Sequence, residues 1–280
     1  MRYLLLSLSI FILIAACNTE KPIVLEKKQE VDKILVGGSE SVLPILKLLA
    51  KAFENDNLNK RIDFSAPGHS GAGIKGVDQK VLHIGATSRD LKSSEKKLGL
   101  KAFWFARDAL VFSTHSNIKL KELSLNDLRS IYYGKISNWK EFGGPDHEIS
   151  ILDRGDGSSP KVLLYKKSIF NKVDISKTVV VMQRPNDMDK ALLDTPYSIG
   201  YTSMASILMS NYDINILKLE GIEPTNENVS KGDYYLFRPQ GLVVKDDPTG
   251  LTKDFIDFIF SLKGQSILTN NGYAPLKETP

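Results

Sequence analysis

Four strand-like segments in this chain each stop at a turn built from glycine and hydroxyl residues. The turns are Gly38-Ser39-Glu40-Ser41, Gly68-His69-Ser70-Gly71-Ala72-Gly73, Gly85-Ala86-Thr87-Ser88-Arg89 and Arg154-Gly155-Asp156-Gly157-Ser158-Ser159. Each reads as a strand handing over to a helix. Repeated strand-to-helix units predict an α/β fold with mainly parallel sheets, because parallel strands need a crossover and the helix supplies it. The same turns carry chemistry. A helix N-terminus has free N–H groups and a partial positive charge, so it attracts anions. Glycine admits an oxygen close to the backbone, and serine adds donors. One such turn is ordinary, since Ser is a common N-cap. Four, one of them opened by an arginine, point to a tetrahedral oxyanion.

The alternation continues along the chain. Lys33–Val36 reads as a strand. Val42–Phe53 reads as a helix with Val42, Ile45, Leu46, Leu49, Ala50 and Phe53 on one face, capped by Ser39 or Ser41, with Pro44 tolerated in its first turn. Arg61–Ser65 and Leu82–Ala86 are strands around a glycine-rich loop, Gly68–Gly76, that opens a short helix. Phe103–Phe112 is apolar but broken by Arg107-Asp108. Ser124 caps a helix to Tyr132, with Asp127 closing an acidic capping box. Ile149–Leu152 is a strand and Lys161–Phe170 a helix. Val179–Met182, Asn186–Leu193 and Ile199–Tyr201 repeat the pattern. Tyr234–Val244 reads as two strands around Arg238-Pro239-Gln240-Gly241, and Leu251–Leu262 as a final helix.

Other chemistries fit poorly. Gly71-Ala72-Gly73-Ile74-Lys75-Gly76 matches GxGxxG, but only four residues separate Gly76 from Val81, too few for the helix of a dinucleotide fold. Gly68-His69-Ser70-Gly71-Ala72 resembles a nucleophile elbow, yet no histidine follows His147 to serve as its base. His69, His83, His115 and His147 lack zinc-ligand spacing. A formal charge of +4, from 37 basic and 33 acidic residues, gives no electrostatic footprint for nucleic acid. No cofactor or metal is expected.

The N-terminus reads as a targeting segment. Arg2 supplies a positive start, and Leu4–Ile14 is apolar apart from Ser7 and Ser9. As a helix this run rises about 16 Å, too short for a hydrocarbon core of about 30 Å. Ile14-Ala15-Ala16-Cys17 then resembles a bacterial lipobox, and Cys17 is the single cysteine of the chain. The resemblance implies cleavage after residue 16, a lipid on Cys17, and a flexible tether over 17–32. The product is an exported, membrane-anchored lipoprotein facing the periplasm or the cell exterior.

Gly38-Ser39-Glu40-Ser41-Val42-Leu43-Pro44 resembles the first anion-binding turn of the phosphate-binding proteins of bacterial phosphate ABC transporters, the PstS family. Gly71-Ala72-Gly73-Ile74-Lys75 and Ile84-Gly85-Ala86-Thr87-Ser88-Arg89 resemble its second and third. Tyr133-Gly134-Lys135-Ile136-Ser137-Asn138-Trp139, Gly143-Gly144-Pro145-Asp146, Arg154-Gly155-Asp156-Gly157-Ser158, Ser198-Ile199-Gly200-Tyr201 and Tyr234-Tyr235-Leu236-Phe237-Arg238-Pro239 also fit.

The resemblance implies a type II periplasmic-binding-protein fold, with two α/β lobes joined by two chain crossings near Ala106–Ala109 and Tyr235–Arg238. Lobe I is 33–107 plus 237–280, and lobe II is 108–236. It implies a non-enzymatic, monomeric protein that binds phosphate in the interlobe cleft and passes it to the permease and ATPase subunits of an ABC importer. Carried over by motif position, the phosphate contacts are Ser41, Ser70, Ser88, Arg154 and Ser158, with Ser159 replacing a lost hydroxyl and backbone N–H groups offered at Glu40, Ser41 and Gly157. Sulfate or molybdate is the alternative ligand, and a surface adhesin or signalling lipoprotein the alternative role. Five positions depart from the family pattern. Ser159-Pro160 replaces Gly-Thr, Glu40 stands where Thr is frequent, Ser88 where some members carry Asp, and His83 where Asp is common. Arg154 has Asp153 and Asp156 beside it as alternative partners.

Overall fold

The computed structural model describes residues 31–171 and 174–276. The targeting segment, Cys17 and nearly all of the tether lie outside the described residues. In chain order the elements are β1 (Asp32–Ser39), α1 (Leu43–Asp56), β2 (Lys60–Gly68), α2 (Ser70–Asp78), β3 (Ile84–Thr87), α3 (Ser93–Lys96), β4 (Lys101–His115), β5 (Glu122–Leu123), α4 (Leu125–Tyr132), a 3-10 turn (Trp139–Phe142), β6 (Ser150–Arg154), α5 (Ser159–Lys166), β7 (Val180–Met182), α6 (Pro185–Asp194), β8 (Ser198–Ser203), α7 (Met204–Ser210), β9 (Ile214–Ile216), β10 (Lys218–Leu219), α8 (Asn226–Lys231), β11 (Phe237–Val244), α9 (Gly250–Phe260), α10 (Leu262–Asn270) and β12 (Tyr273–Pro275).

The main sheet runs β2-β1-β3-β11-β4-β8-β6-β7, with β9 and β12 also paired to β4. Its two ends are parallel: β1 with β2 and β3, and β6 with β7 and β8. Its middle is antiparallel, since β11 opposes both β3 and β4, and β4 opposes β8, β9 and β12. The expectation of mainly parallel sheets therefore holds only for the flanks. There, strand-helix-strand units set the direction; in the middle, β4 and β11 pass each other in opposite senses.

Three other expectations change here. Arg107-Asp108 does not break the apolar run, because β4 is one continuous fifteen-residue strand. Asp108 is tolerated inside it, fully buried, because Arg238 faces it in register on β11 and neutralises it. Tyr234–Val244 is not two strands but the single strand β11 after a short approach. Pro239 survives within it because β3 flanks β11 only from Gly241 to Val243, so the missing N–H falls where one neighbour suffices. At the C-terminus the expected final helix is a pair, broken at Ser261, whose hydroxyl caps α10 through Gly264 N at 3.2 Å.

Apolar side chains gather in two buried cores. One contains Ile34, Val36, Leu46, Leu49, Phe53, Phe105, Phe255 and Ile259, with Phe53 edge-on to Phe255 at 5.6 Å. The other is aromatic: Phe112 meets Tyr132, Phe170 and Tyr201 edge-on at 6.2, 5.9 and 5.8 Å, beside Trp139 and Tyr234. Each large side chain so buried stabilises the fold by roughly 1.5–3 kcal/mol. β4 gives Phe105 and Ala106 to the first core and Ala109 to Phe112 to the second. Leu236 belongs to the second and Leu242 to the first, so Asp108 and Arg238 both sit where the chain changes core.

Candidate functional site

The first three turns converge because glycine lets their backbones touch. Gly38 has φ +125°, and a Cβ there would stand 2.5 Å from the Ala86 carbonyl oxygen and 3.0 Å from Gly73 Cα. A Cβ on Gly73 would be 2.9 Å from Gly38 Cα. No side chain fits at either position, so the end of β1, the start of α2 and the end of β3 meet at one point.

That approach brings the serines together. Ser39 Oγ lies 3.1 Å from Ser41 Oγ and 3.0 Å from Ser88 Oγ. Ser70 Oγ is 3.5 Å from Ser88 Oγ and accepts from Ser88 N at 3.1 Å. Ser39 thus links Ser41 to Ser88 in a chain of hydroxyls and is not among the contacts expected from sequence. In sequence, a serine before a helix reads as its cap. Neither Ser39 nor Ser41 caps α1; Val42 occupies the cap position without a side-chain bond. Two further expectations are corrected. The Gly68–Gly76 segment is helical from Ser70, capped by His69 Nδ1 on Ala72 N at 3.1 Å. Ser88 does not open a helix: α3 starts only at Ser93 and has four residues.

Glu40 also differs from expectation. Its N–H donates to Gly68 O at 2.9 Å, so that group is not available to a ligand. Whatever Glu40 contributes comes from its carboxylate. The Ser41 N–H makes no hydrogen bond to any described residue.

The fourth turn follows β6. Arg154 is 7% exposed. Its neighbour Asp153 does not pair with it. Asp153 accepts from the Arg154 backbone N–H at 2.8 Å, from Tyr201 OH at 2.5 Å, and from the buried ammonium of Lys161. Asp156 accepts from Tyr165 OH at 3.0 Å. Arg154 donates through Nη2 to Gln183 O at 3.1 Å, while its buried Nε has no partner among the described residues. Among those residues no carboxylate lies within ion-pair distance of it. Burial pushes the Arg154 guanidinium below its ordinary pKa, and the nearby Arg238 pushes the same way; Tyr201, Asp189 and Glu40 oppose them.

A cavity of about 310 Å³ opens between the first and fourth turns. Glu40, Ser41, Pro160 and Arg154 form part of its wall, with Tyr201 and Arg238. The remaining expected residues are not on that wall. Ser70 and Ser88 are buried behind Ser39 and Ser41. Gly157 is exposed, and Ser158 Oγ caps α5 through Lys161 N at 3.4 Å. Ser159 Oγ donates to Ser88 O at 3.2 Å, tying the fourth turn to the third. His83 lies away from all of them, its Nδ1 accepting from Leu35 N at 3.0 Å. Behind the cavity, Asp189 is 1% exposed and takes hydroxyl donors from Thr202 and Ser206. Burial raises its pKa, against those hydroxyls and the two arginines. Asp153, Lys161 and Asp189 carry no sequence signal of burial, because charged residues are mostly exposed.

A family model described as the PBP superfamily domain matches residues 26–263. The phosphate-binding protein PstS of Borreliella burgdorferi is 34% identical over 265 residues, covering 90% of this chain and 93% of that one. The chain belongs to the PstS family. PstS of Bacillus subtilis is 29% identical, over 88% of this chain and 81% of its own length. Among solved structures, a phosphate ABC transporter substrate-binding protein from Clostridium perfringens with bound phosphate superposes with a TM-score of 0.78 at 33% identity, covering 88% of this chain and all of that one. An ABC-type phosphate transport receptor from Vibrio cholerae gives 0.66 at 26% identity, covering 86% and 99%. The mixed α/β architecture is the periplasmic-binding-protein fold.

Proposed function

We propose that this chain binds inorganic phosphate in the cavity and delivers it to the permease and ATPase subunits of an ABC importer. One observation carries the reading: Asp153 is held by Lys161, and the Arg154 guanidinium is buried beside Ser41 with no carboxylate of the described residues in ion-pair contact. A buried cation without a counter-ion favours an anionic ligand, and guanidinium N–H groups match phosphate oxygens. The names of the relatives support phosphate over sulfate or molybdate.

In this reading Ser41 and Arg154 contact the anion first. Ser70, Ser88, Gly157, Ser158 and Ser159 complete the shell as two lobes draw together, lobe I being 33–107 plus 237–280 and lobe II 108–236. The separate cores support that division. The protein binds and releases its ligand unchanged, as a monomer held at the membrane by a lipid on Cys17. Calorimetry with phosphate and sulfate tests the reading. Phosphate binding at micromolar or tighter affinity, with sulfate far weaker, is expected; no heat and no thermal stabilisation at millimolar phosphate refutes it.

A further inference from the structure

Arg238 stands opposite Asp108 where the chain passes from one core to the other. Asp108 is fully buried and Arg238 is 5% exposed. Arg238 Nη2 donates to Asp108 Oδ2 at 2.6 Å, and the other Asp108 oxygen accepts from Ser203 Oγ at 2.8 Å. That pair commits one guanidinium nitrogen. Nε is buried without a partner, and Nη1 makes no hydrogen bond to any described residue. Buried polar side-chain atoms usually have at least one hydrogen-bond partner, so a buried Nε without one calls for an explanation. Arg238 instead borders the same cavity as Arg154, whose Nε is unpartnered in the same way. Two cations share one wall, and only one of them has a carboxylate in contact.

We propose that Arg238 is a second guanidinium ligand of the bound anion, acting from the strand that crosses between the cores. The inference rests on the phosphate reading above. It adds a contact that the serine-rich turns do not supply, because β11 is not one of them. Phosphate at neutral pH carries between one and two negative charges. Arg154 alone compensates part of that, and Arg238, half-neutralised by Asp108, supplies the remainder. Since Asp108 sits on β4 and Arg238 on β11, the anion also touches both crossing strands through one ion pair.

Arg238→Lys is the discriminating variant. It keeps a cation opposite Asp108 but loses Nε–H and the planar fork. Titrating inorganic phosphate into the full chain and this variant by calorimetry should show affinity reduced about 10- to 100-fold, the loss expected for hydrogen bonds to a charged group. The ligand-free unfolding temperature should move by less than about 4 °C. An Arg238→Gln, Asp108→Asn double variant removes the pair as a unit and should show the same loss of affinity. If either folded variant binds phosphate within about threefold of the parent, Arg238 is not a ligand. If neither variant folds, its role is structural and the proposal is overturned. A parent protein that binds no phosphate overturns the reading of the site as well, so the two failures are distinguishable.

Discussion

Lys161 is buried directly beneath the loop that begins at Arg154, with its ammonium on the Asp153 carboxylate. This pairing decides the electrostatics of the site. Asp153 is adjacent to Arg154 in sequence, but the two are consecutive strand residues whose side chains point to opposite faces. With Lys161 and Tyr201 both on Asp153, the guanidinium keeps its charge for a ligand, and Asp153 orients the loop through the Arg154 backbone N–H.

Arg154→Ala should therefore cost binding rather than folding. Loss of a buried charged partner costs roughly 2–5 kcal/mol, or about 30- to 4,000-fold in Kd for phosphate. Calorimetry reads it. Affinity within about threefold of the parent removes Arg154 from the ligand shell.

Lys161→Met should act the other way, on stability first. It leaves Asp153 buried without its cation, a change that costs about 3–5 kcal/mol. Urea denaturation of the ligand-free protein measures this. A shift below about 1 kcal/mol would show that Tyr201 and the backbone alone satisfy Asp153.

Glu40 lines the cavity with its N–H already spent on Gly68. Phosphate retains a proton near neutral pH and sulfate does not, so a carboxylate in a shell of donors accepts from one and repels the other. Glu40→Ala should weaken phosphate about five- to 150-fold and relax sulfate exclusion. Unchanged values for both anions would leave the carboxylate facing water.

Asp189 gives a pH signature. Burial raises its pKa in the folded protein, so the native state holds this proton to higher pH than the unfolded chain does. Its contribution to stability is present below the unfolded aspartate pKa and is lost as pH rises through the higher folded value. Denaturation from acid to neutral pH should show Asp189→Asn gaining stability relative to the parent as pH rises through that window. Parallel curves for the two proteins would contradict it.

Cys17→Ser should abolish lipid attachment and leave phosphate binding unchanged. Detergent phase partitioning checks it: the parent should enter the detergent phase and the variant should stay in the aqueous one.

Much of the α/β alternation was legible in sequence. α1 (Leu43–Asp56) follows from apolar spacing and α4 (Leu125–Tyr132) from the Ser124–Asp127 capping box; both signals lie within a few residues. The glycine-serine turns were legible for the same reason, and with them Ser41 and Arg154. The antiparallel middle of the sheet was not, because direction depends on which distant strand a segment meets. Nor were the partners of the buried charges. Lys161 on Asp153 spans one loop, but Arg238 on Asp108 joins residues 130 positions apart. Ser39 reaches Ser88 only because Gly38 and Gly73 bring their backbones together. The sequence by itself determined which local elements form and which turns can face an anion. The tertiary structure decided which charges cancel one another and which remain free, because a buried charge is defined by what surrounds it and not by its neighbours along the chain.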